Sequence, residues 1–96
     1  MTSEKWTVHL IGQAKKFDKN LSEKVAAIFL LLLNELKEDG PYRMNWPNYT
    51  KMSSGEDYHC HIKNGRPTYV ACWKIYDKKC NKIEVYYVGT HEKAPY

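Results

Sequence analysis

The apolar and polar positions of this chain follow two periods, and the changes between them mark its elements. The segment W-T-V-H-L-I, residues 6–11, alternates apolar Trp6, Val8 and Leu10 with the residues between them, and Gly12 follows it. A period of two is typical of a strand with one buried face, because successive side chains point to opposite sides. The pattern therefore predicts a strand that ends at Gly12.

A helical spacing of apolar residues replaces this alternation and continues to Asp39. Residues 13–20 are rich in lysine, and they predict a short, mostly solvated helix. Ser22 offers a hydroxyl cap for the start of a longer helix, and Gly40 followed by proline is a strong stop. The apolar face of the longer helix consists of Val25, Ile28, Phe29, Leu32, Leu33 and Leu36, widened by Leu30 and Leu31. A face of this width predicts a helix that is packed on two sides.

Three further runs, dense in tyrosine, valine and isoleucine, complete the chain. They cover Tyr58–Lys63, Thr68–Asp77 and Lys82–Val88. Their short links, N-G-R-P and K-K-C-N, predict an antiparallel meander. Residues 41–57 hold prolines, serines and a glycine, and they predict a loop with a short strand near residues 49–52. The order β-α-α-β-β-β predicts a single α+β domain over residues 1–96, in which an antiparallel sheet packs on two helices in two layers.

Length and composition restrict the chain to one ordinary folded domain. Its 96 residues leave no room for a second core, and the longest apolar run, residues 25–33, is about half of the ~20 residues that span a bilayer. The three cysteines are an odd number and no basic-then-apolar leader precedes the first strand, which argues against a secreted disulfide scaffold. We therefore expect a soluble protein in a reducing cytoplasm, with no membrane association.

Positive charge is concentrated in the last part of the chain. Residues 1–57 hold eight Lys or Arg and eight Asp or Glu, whereas residues 58–96 hold seven and three and so supply the whole net charge of +4. The same part is rich in aromatic residues and contains three of the four histidines. A basic, aromatic sheet suits a polyanion as its partner.

Strand parity in the first run of the meander separates apolar from polar side chains. Tyr58, Cys60 and Ile62 fall on one face, and His59, His61 and Lys63 fall on the other. If the apolar set meets the helices, both histidines and the lysine point away from the core. The other two runs are apolar on both faces, which predicts that the outward face is itself partly a binding surface.

Two chemistries receive little support from the cysteines and histidines. His59 and His61 on one strand face suit a metal ion, but zinc needs at least one further ligand. Cys72, Cys80 and His91 are candidates only if the fold brings them together, and C-x-x-C and H-E-x-x-H motifs are absent from the sequence. Cys60 and Cys72 lie in apolar strands, where a cysteine is more often a small buried residue than a nucleophile. We therefore predict no metal and no other cofactor.

Acid–base chemistry on RNA is the third option. Metal-free cleavage of RNA needs a base for the 2′-OH, a cation for the charge that builds on the phosphorus, and a proton donor for the leaving oxygen. Histidine suits both proton roles because its ordinary pKa lies near neutrality. His61 and His91 supply such a pair, Arg66 and Lys63 supply cations, and Tyr96 supplies a further donor or a stacking ring.

Several short motifs, in this order, resemble the RelE/ParE superfamily of toxin–antitoxin toxins. They are N-W-P-x-Y at residues 45–49, G-R-P-T-Y at residues 65–69 and the ending V-G-T-H-E-K-A-P-Y at residues 88–96. The G-T-H triplet in this ending, together with C-H at residues 60–61, is similar to the YafQ branch of the superfamily. The resemblance covers nearly the whole chain, from the first predicted strand to the last residue.

The resemblance implies a ribosome-dependent, metal-independent mRNA endonuclease that represses translation by histidine acid–base catalysis. It implies two kinds of partner, the ribosome with its mRNA and a cognate antitoxin protein. The catalytic residues that it carries over are His61, His91, Arg66 and Tyr96, and the residues expected to bind RNA or the ribosome are Lys63, Lys51, Arg43, His59, Lys93 and Lys74. As the last residue of the chain, Tyr96 is the one most subject to fraying.

Two other functions fit the same resemblance. ParE-like members inhibit DNA gyrase through protein contacts, without enzymatic activity of their own. A degenerate toxin would persist as an antitoxin-bound or RNA-binding module. One fold serves these different functions, so the fold alone does not decide among them, and the histidine-bearing face favours the nuclease.

Overall fold

The part of the chain that the structure describes builds a five-stranded sheet and two helices. In the computed structural model, which describes residues 5–52 and 55–96, the strands are β1 (Thr7–Leu10), β2 (Thr50–Lys51), β3 (Asp57–Lys63), β4 (Tyr69–Asp77) and β5 (Lys82–Thr90), in the sheet order β1-β5-β4-β3-β2. The helices are α1 (Phe17–Asn20) and α2 (Glu23–Asp39), and 3₁₀ turns cover Gly12–Lys16 and His91–Lys93. This is an α+β domain, as the order of the sequence patterns predicts. Ser53 and Ser54 of the predicted loop lie outside the described residues.

The first strand makes the sheet mixed, whereas the sequence patterns predict an antiparallel one. The meander β3-β4-β5 is antiparallel, but β1 pairs in parallel with β5, with Thr7 opposite Lys82 and Leu10 opposite Val85. Parallel neighbours need a long crossover, and the helices and strands between β1 and β5 supply it. Alternation of apolar residues carries no information about strand direction, so the prediction of an entirely antiparallel sheet is wrong.

Local sequence sets both ends of α2. The Ser22 hydroxyl accepts a hydrogen bond from the Val25 N–H at 3.3 Å, and the Gly40 N–H donates to the Leu36 carbonyl at 3.0 Å. Gly40 has φ +93°, and a Cβ there would lie 2.9 Å from Trp6 Nε1. Only glycine fits such a position without strain. The predicted cap and the predicted stop are both confirmed.

The long helix packs on one side only. Its buried side chains are Val25, Phe29, Leu32 and Leu36. Leu30 and Leu31 are 51% and 56% exposed, so the prediction of packing on two sides is wrong. The physical reason is that α1 has only 4 residues and is too short to form a second layer. Among the described residues, neither helix has the length and apolar character needed to cross a membrane.

The sheet carries a separate apolar cluster on each face. The inner cluster, toward α2, includes Tyr58, Cys60 and Ile62 of β3. Their burial confirms the parity that the sequence predicts for this strand. On the outer face, Val70, Cys72 and Tyr87 form a second cluster, against which Ala94 packs. The chain's own C-terminal segment therefore covers part of the apolar outer face, which the sequence predicts to be a binding surface.

An extra residue in β5 sends Tyr87 to the outer face. Cys72 lies opposite Tyr87 and Trp73 lies opposite Val85, so Tyr86 has no direct partner in the register. Such a bulge reverses the parity of the residues that follow it. Val85 therefore faces α2, whereas Tyr87 contributes to the outer cluster.

Candidate functional site

The outer face of the meander carries a cleft at one end of its strands. The cleft has a volume of about 680 Å³, and its lining includes His61, Arg66, Pro67, Thr68, His91 and Glu92. These residues come from the end of β3, from the loop that leads to β4, and from the 3₁₀ turn that follows β5. Three of the four predicted catalytic residues, His61, Arg66 and His91, thus line one cleft.

Backbone hydrogen bonds hold the segments that carry both cleft histidines. The His61 N–H donates to the Pro47 carbonyl at 2.8 Å, and the His91 N–H donates to the Thr68 carbonyl at 2.8 Å. The Thr68 hydroxyl in turn donates to the Gly65 carbonyl at 2.8 Å and closes the loop between β3 and β4. The histidines are therefore presented by the hydrogen-bonded margin of the sheet rather than by free loops.

The two histidine rings of the cleft approach each other edge to face. The centroids of His61 and His91 are 5.7 Å apart, and the ring planes are inclined by 71°. Two imidazoles at this separation can serve two atoms of one small group, such as the attacking and leaving oxygens of a phosphodiester. Arg66 lines the same cleft and supplies a permanent positive charge.

Tyr96 lies over the outer face of the sheet. Its ring stacks on His59, with centroids 4.2 Å apart and planes at 22°, and it meets His91 edge-on at 5.8 Å and 87°. Burial raises the pKa of Tyr96 and the nearby Cys72 raises it further, so the phenol keeps its proton at neutral pH. Together with His61, these residues form what we call the ring cluster: His59, His61, His91 and Tyr96.

His59 is the member of the ring cluster that lies beneath Tyr96. Its Nδ1 is buried and has no hydrogen-bond partner among the described residues. Burial lowers the pKa of His59, and repulsion by His61 and His91 lowers it further. The neutral ring is therefore favoured, and it contributes a stacking partner for Tyr96 rather than a positive charge.

The predicted RNA-binding lysines differ in their surroundings. Lys63 ends β3 after a register shift that breaks the alternation behind His61, and its Nζ lies near Gly65 of the cleft. Lys93 is exposed in the 3₁₀ turn after β5. Lys51 is exposed on the edge strand β2. Lys74 instead approaches the carboxylate of Glu84 at 3.7 Å, within the sheet. Lys63 and Lys93 are therefore the lysines that extend the positive charge of the cleft.

Arg43 is bound to the long helix and is not brought to the cleft. Its Nη1 lies 3.0 Å from Glu35 Oε1, and its side chain is 13% exposed. The same oxygen accepts hydrogen bonds from Trp46 Nε1 at 2.8 Å and from Asn45 Nδ2 at 3.0 Å. Burial raises the pKa of Glu35, but the three hydrogen bonds outweigh it and hold this pKa below its ordinary value. Arg43 thus connects the loop after α2 to the helix.

The cysteines do not form a nucleophilic or metal-binding centre with the histidines. Burial raises the pKa of Cys60 and of Cys72 to about 12, so both thiols stay protonated at neutral pH. Cys80 is exposed in the turn between β4 and β5. Within the part of the chain that the structure describes, no group of three or more His, Cys, Asp or Glu side chains is placed to hold a metal ion.

Three residues of the site are not indicated by the sequence patterns. Thr68 and Glu92 line the cleft, and Asn64 Oδ1 lies 2.7 Å from His61 Nδ1. The Asn-Gly pair that begins at Asn64 is visible in the sequence as a turn signal. Nothing in the sequence alone shows that this asparagine bends back to a histidine, because the contact depends on the path of the loop.

Comparison with known proteins identifies no relative of this chain. No protein-family model, curated protein or solved structure matches the chain. The resemblance to the RelE/ParE superfamily therefore rests on short motifs in the sequence, and function has to be inferred from the chemistry of the cleft.

Proposed function

We propose that the cleft is the active site of an endoribonuclease that cuts RNA through the attack of its own 2′-OH. The observation that carries this proposal is the pair of His61 and His91 rings, 5.7 Å apart, in a cleft that Arg66 also lines. Two imidazoles can move two protons in one reaction, and a guanidinium can stabilise the negative charge that develops on a phosphoryl group. These are the groups that metal-free RNA cleavage requires.

In the proposed reaction, the 2′-oxygen attacks the phosphorus while one histidine removes its proton. Arg66 stabilises the charge on the non-bridging oxygens of the phosphorane. The bond from phosphorus to the 5′-oxygen then breaks, and the second histidine gives its proton to that oxygen. The products are a 2′,3′-cyclic phosphate and a 5′-OH end. One proton is taken and one is returned, so the reaction consumes no cofactor.

Single-stranded RNA is the substrate that suits this surface. Its unpaired bases can stack on exposed aromatic rings, and Tyr96, 48% exposed above His59, offers such a ring. Lys63 and Lys93 add positive charge beside the cleft and attract the phosphate backbone. A double helix would hide the bases that this stacking requires.

In the cell, we propose that this activity belongs to a toxin of a type II toxin–antitoxin system. Such a toxin cuts mRNA on the ribosome, represses translation and is neutralised by a cognate antitoxin. This part of the proposal rests on the resemblance to the RelE/ParE superfamily, above all on the ending at residues 88–96. The cleft supports the cleavage chemistry, whereas the ribosome and the antitoxin follow from the resemblance.

Mapping mRNA 5′ ends after induction of the protein tests this proposal. We expect new 5′-OH ends within translated mRNAs, and we expect His61→Ala and His91→Ala to abolish them. His9→Ala is a matched control, because His9 is an exposed histidine on β1. If induction of the wild-type protein produces no new mRNA ends, the proposal of a nuclease is contradicted.

DNA supercoiling by purified gyrase separates the nuclease from a ParE-like inhibitor. The nuclease is expected to leave supercoiling unchanged. Inhibition of gyrase that survives substitution of both His61 and His91 would support the inhibitor instead.

A further inference from the structure

Asn64 contacts a cleft histidine from the loop after β3. Its Oδ1 lies 2.7 Å from His61 Nδ1, which is a hydrogen-bond distance. An amide oxygen only accepts hydrogen bonds, so Nδ1 must carry the hydrogen. A neutral imidazole has a single N–H, and Nε2 of His61 is therefore left with a free lone pair.

We infer that Asn64 is a positioning residue that makes His61 the general base of the cleft and leaves His91 as the general acid. The inference rests on the proposed function, in which either histidine could take either role. A general base needs an unprotonated nitrogen before the reaction, and Asn64 assigns that nitrogen to Nε2. The reaction needs one base and one acid, so His91 supplies the proton for the leaving oxygen.

The loop between β3 and β4 favours this contact. Gly65 has φ +131°, and its carbonyl accepts the hydrogen bond from Thr68. The register between β3 and β4 also shifts between His61 and Lys63, just before the loop begins. Asn64 is only three residues from His61 in the sequence, and the loop between them and β4 is already closed. Formation of the hydrogen bond therefore costs little additional conformational entropy.

Other titratable and charged groups surround the His61 ring. They are His59 and Lys63 on β3, His91 after β5, and Arg66 and Glu92 in the cleft. Their charges act on the ring as a whole. The amide oxygen of Asn64 is hydrogen-bonded to Nδ1 only, and it therefore favours the proton on Nδ1 over the proton on Nε2.

Long-range ¹H–¹⁵N correlation spectra of the histidine rings read this tautomer without RNA. In the full chain, at a pH where the imidazoles are neutral, we expect His61 in the Nδ1–H form. Asn64→Ala is expected to move it toward the Nε2–H form, whereas Asn64→Asp, whose carboxylate accepts the same hydrogen bond, should retain it. An Nε2–H form in the wild type, or a spectrum that Asn64→Ala leaves unchanged, would overturn the inference.

Cleavage of mRNA on programmed ribosomes gives the second readout. A general base contributes ~10²–10⁴-fold to a rate, and partial loss of the favoured tautomer should lower the kcat of Asn64→Ala about tenfold with KM within about twofold. Asn64→Asp should restore kcat on the pH-independent plateau of its pH–rate profile. Asn20→Ala, which removes an exposed asparagine at the end of α1, is the matched control and should cleave like the wild type.

The pH–rate profile of Asn64→Asp distinguishes a base from an acid. The added carboxylate favours the protonated His61 ring. If His61 is the base, the limb on which activity falls toward acid pH should move to higher pH. If the alkaline limb moves instead, His61 is the acid and the inference is overturned.

Failure of this inference and failure of the proposed function give different results. A wild type that cuts no RNA but shows His61 as the Nδ1–H form would overturn the proposed function and the base role, while the Asn64–His61 contact would stand. A wild type that cuts RNA, with a tautomer and kcat that do not respond to Asn64→Ala, would leave the nuclease intact and overturn the inference.

Discussion

The inner and outer faces of the sheet differ in the role of the side chains that β3 contributes to them. On the inner face, Tyr58 and Cys60 of β3 lie in the continuous apolar core beneath α2. On the outer face, their neighbours His59 and His61 belong to the ring cluster. One strand therefore supplies the core and the candidate site in alternate side chains.

The two faces also differ in what covers them. A helix of 17 residues covers the inner face, whereas the C-terminal segment covers only part of the outer face, with Ala94 packed on the outer cluster and Tyr96 stacked on His59. A long helix with many apolar contacts is held more strongly than a few terminal residues. Substitutions on the inner face should therefore change stability, and substitutions on the outer face should change chemistry and local access.

Phe29→Ala should produce the largest loss of stability among these variants. Phe29 is fully buried between α2 and the sheet, and its truncation leaves a cavity, so we expect the free energy of unfolding to fall by about 3–5 kcal/mol. Urea denaturation measures this change. Leu30→Ala is the control on the exposed side of the same helix, and a similar loss in both variants would contradict packing on one side.

His91→Ala should affect chemistry and not stability. Its ring belongs to the outer face and is exposed, so we expect RNA cleavage to fall by at least ~10²-fold. The free energy of unfolding should change by less than about 1 kcal/mol, as is usual for exposed positions. Cleavage assays and urea denaturation on the same preparation check both expectations. A loss of stability as large as that of Phe29→Ala would contradict the contrast between the faces.

Tyr96→Ala should open the outer face locally. Tyr96 stacks on His59 near the buried Cys72, and a stacked aromatic pair contributes roughly 0.5–1.5 kcal/mol. We therefore expect the Cys72 thiol to react about two- to tenfold faster with a thiol reagent, as measured by mass spectrometry. Cys60, on the inner face, is the internal control and should keep its rate. Equal acceleration at both cysteines would indicate global unfolding instead.

His59 should make part of the stability dependent on pH. Burial, and then repulsion by His61 and His91, lower the pKa of His59, so the unfolded chain binds a proton there more readily than the folded chain. Stability is therefore lost as the pH falls through the ordinary histidine range, near about 6.5. His59→Phe keeps a ring under Tyr96 and should reduce the difference in unfolding free energy between about pH 7.5 and about pH 5.5. An unchanged difference would contradict the role of His59, and His9→Phe controls for the loss of a histidine as such.

Leu31→Gln should have the smallest effect. Leu31 is 56% exposed, so the change is expected to alter the free energy of unfolding by no more than about 0.5 kcal/mol. Leu32→Gln, one position further, places an amide in the core, where Leu32 is fully buried. We expect it to lower the free energy of unfolding by roughly 2–7 kcal/mol, because burial of an unpaired polar group costs about this much. Urea denaturation of the pair tests which residues of α2 face the sheet. Equal effects in the two variants would contradict the helix orientation.

Features that depend on near neighbours in sequence could be predicted. Ser22 and Gly40 mark the ends of α2 because capping involves residues within one turn. The opposite directions of Cys60 and His61 follow from the period of a strand. The candidate site could be predicted to the extent that His61 lies on the outward parity and His91 follows the last strand.

Features that depend on distant segments could not be predicted. Apolar character made Leu31 a candidate for the core, but no second layer covers it. A positive charge made Arg43 a candidate for RNA binding, but its guanidinium lies against Glu35 of the helix. Composition identifies what a side chain can do, whereas the segment opposite to it decides what it contacts.

By itself, the sequence determined the strands, the extent of α2 and the side of β3 on which the histidines lie, since hydrogen bonds and side-chain periods act over a few residues. Only the tertiary structure decided that β1 runs parallel to β5, that Tyr96 stacks on His59 and that Asn64 reaches His61. These contacts depend on the paths of the loops and on pairing between distant segments, which no local pattern encodes.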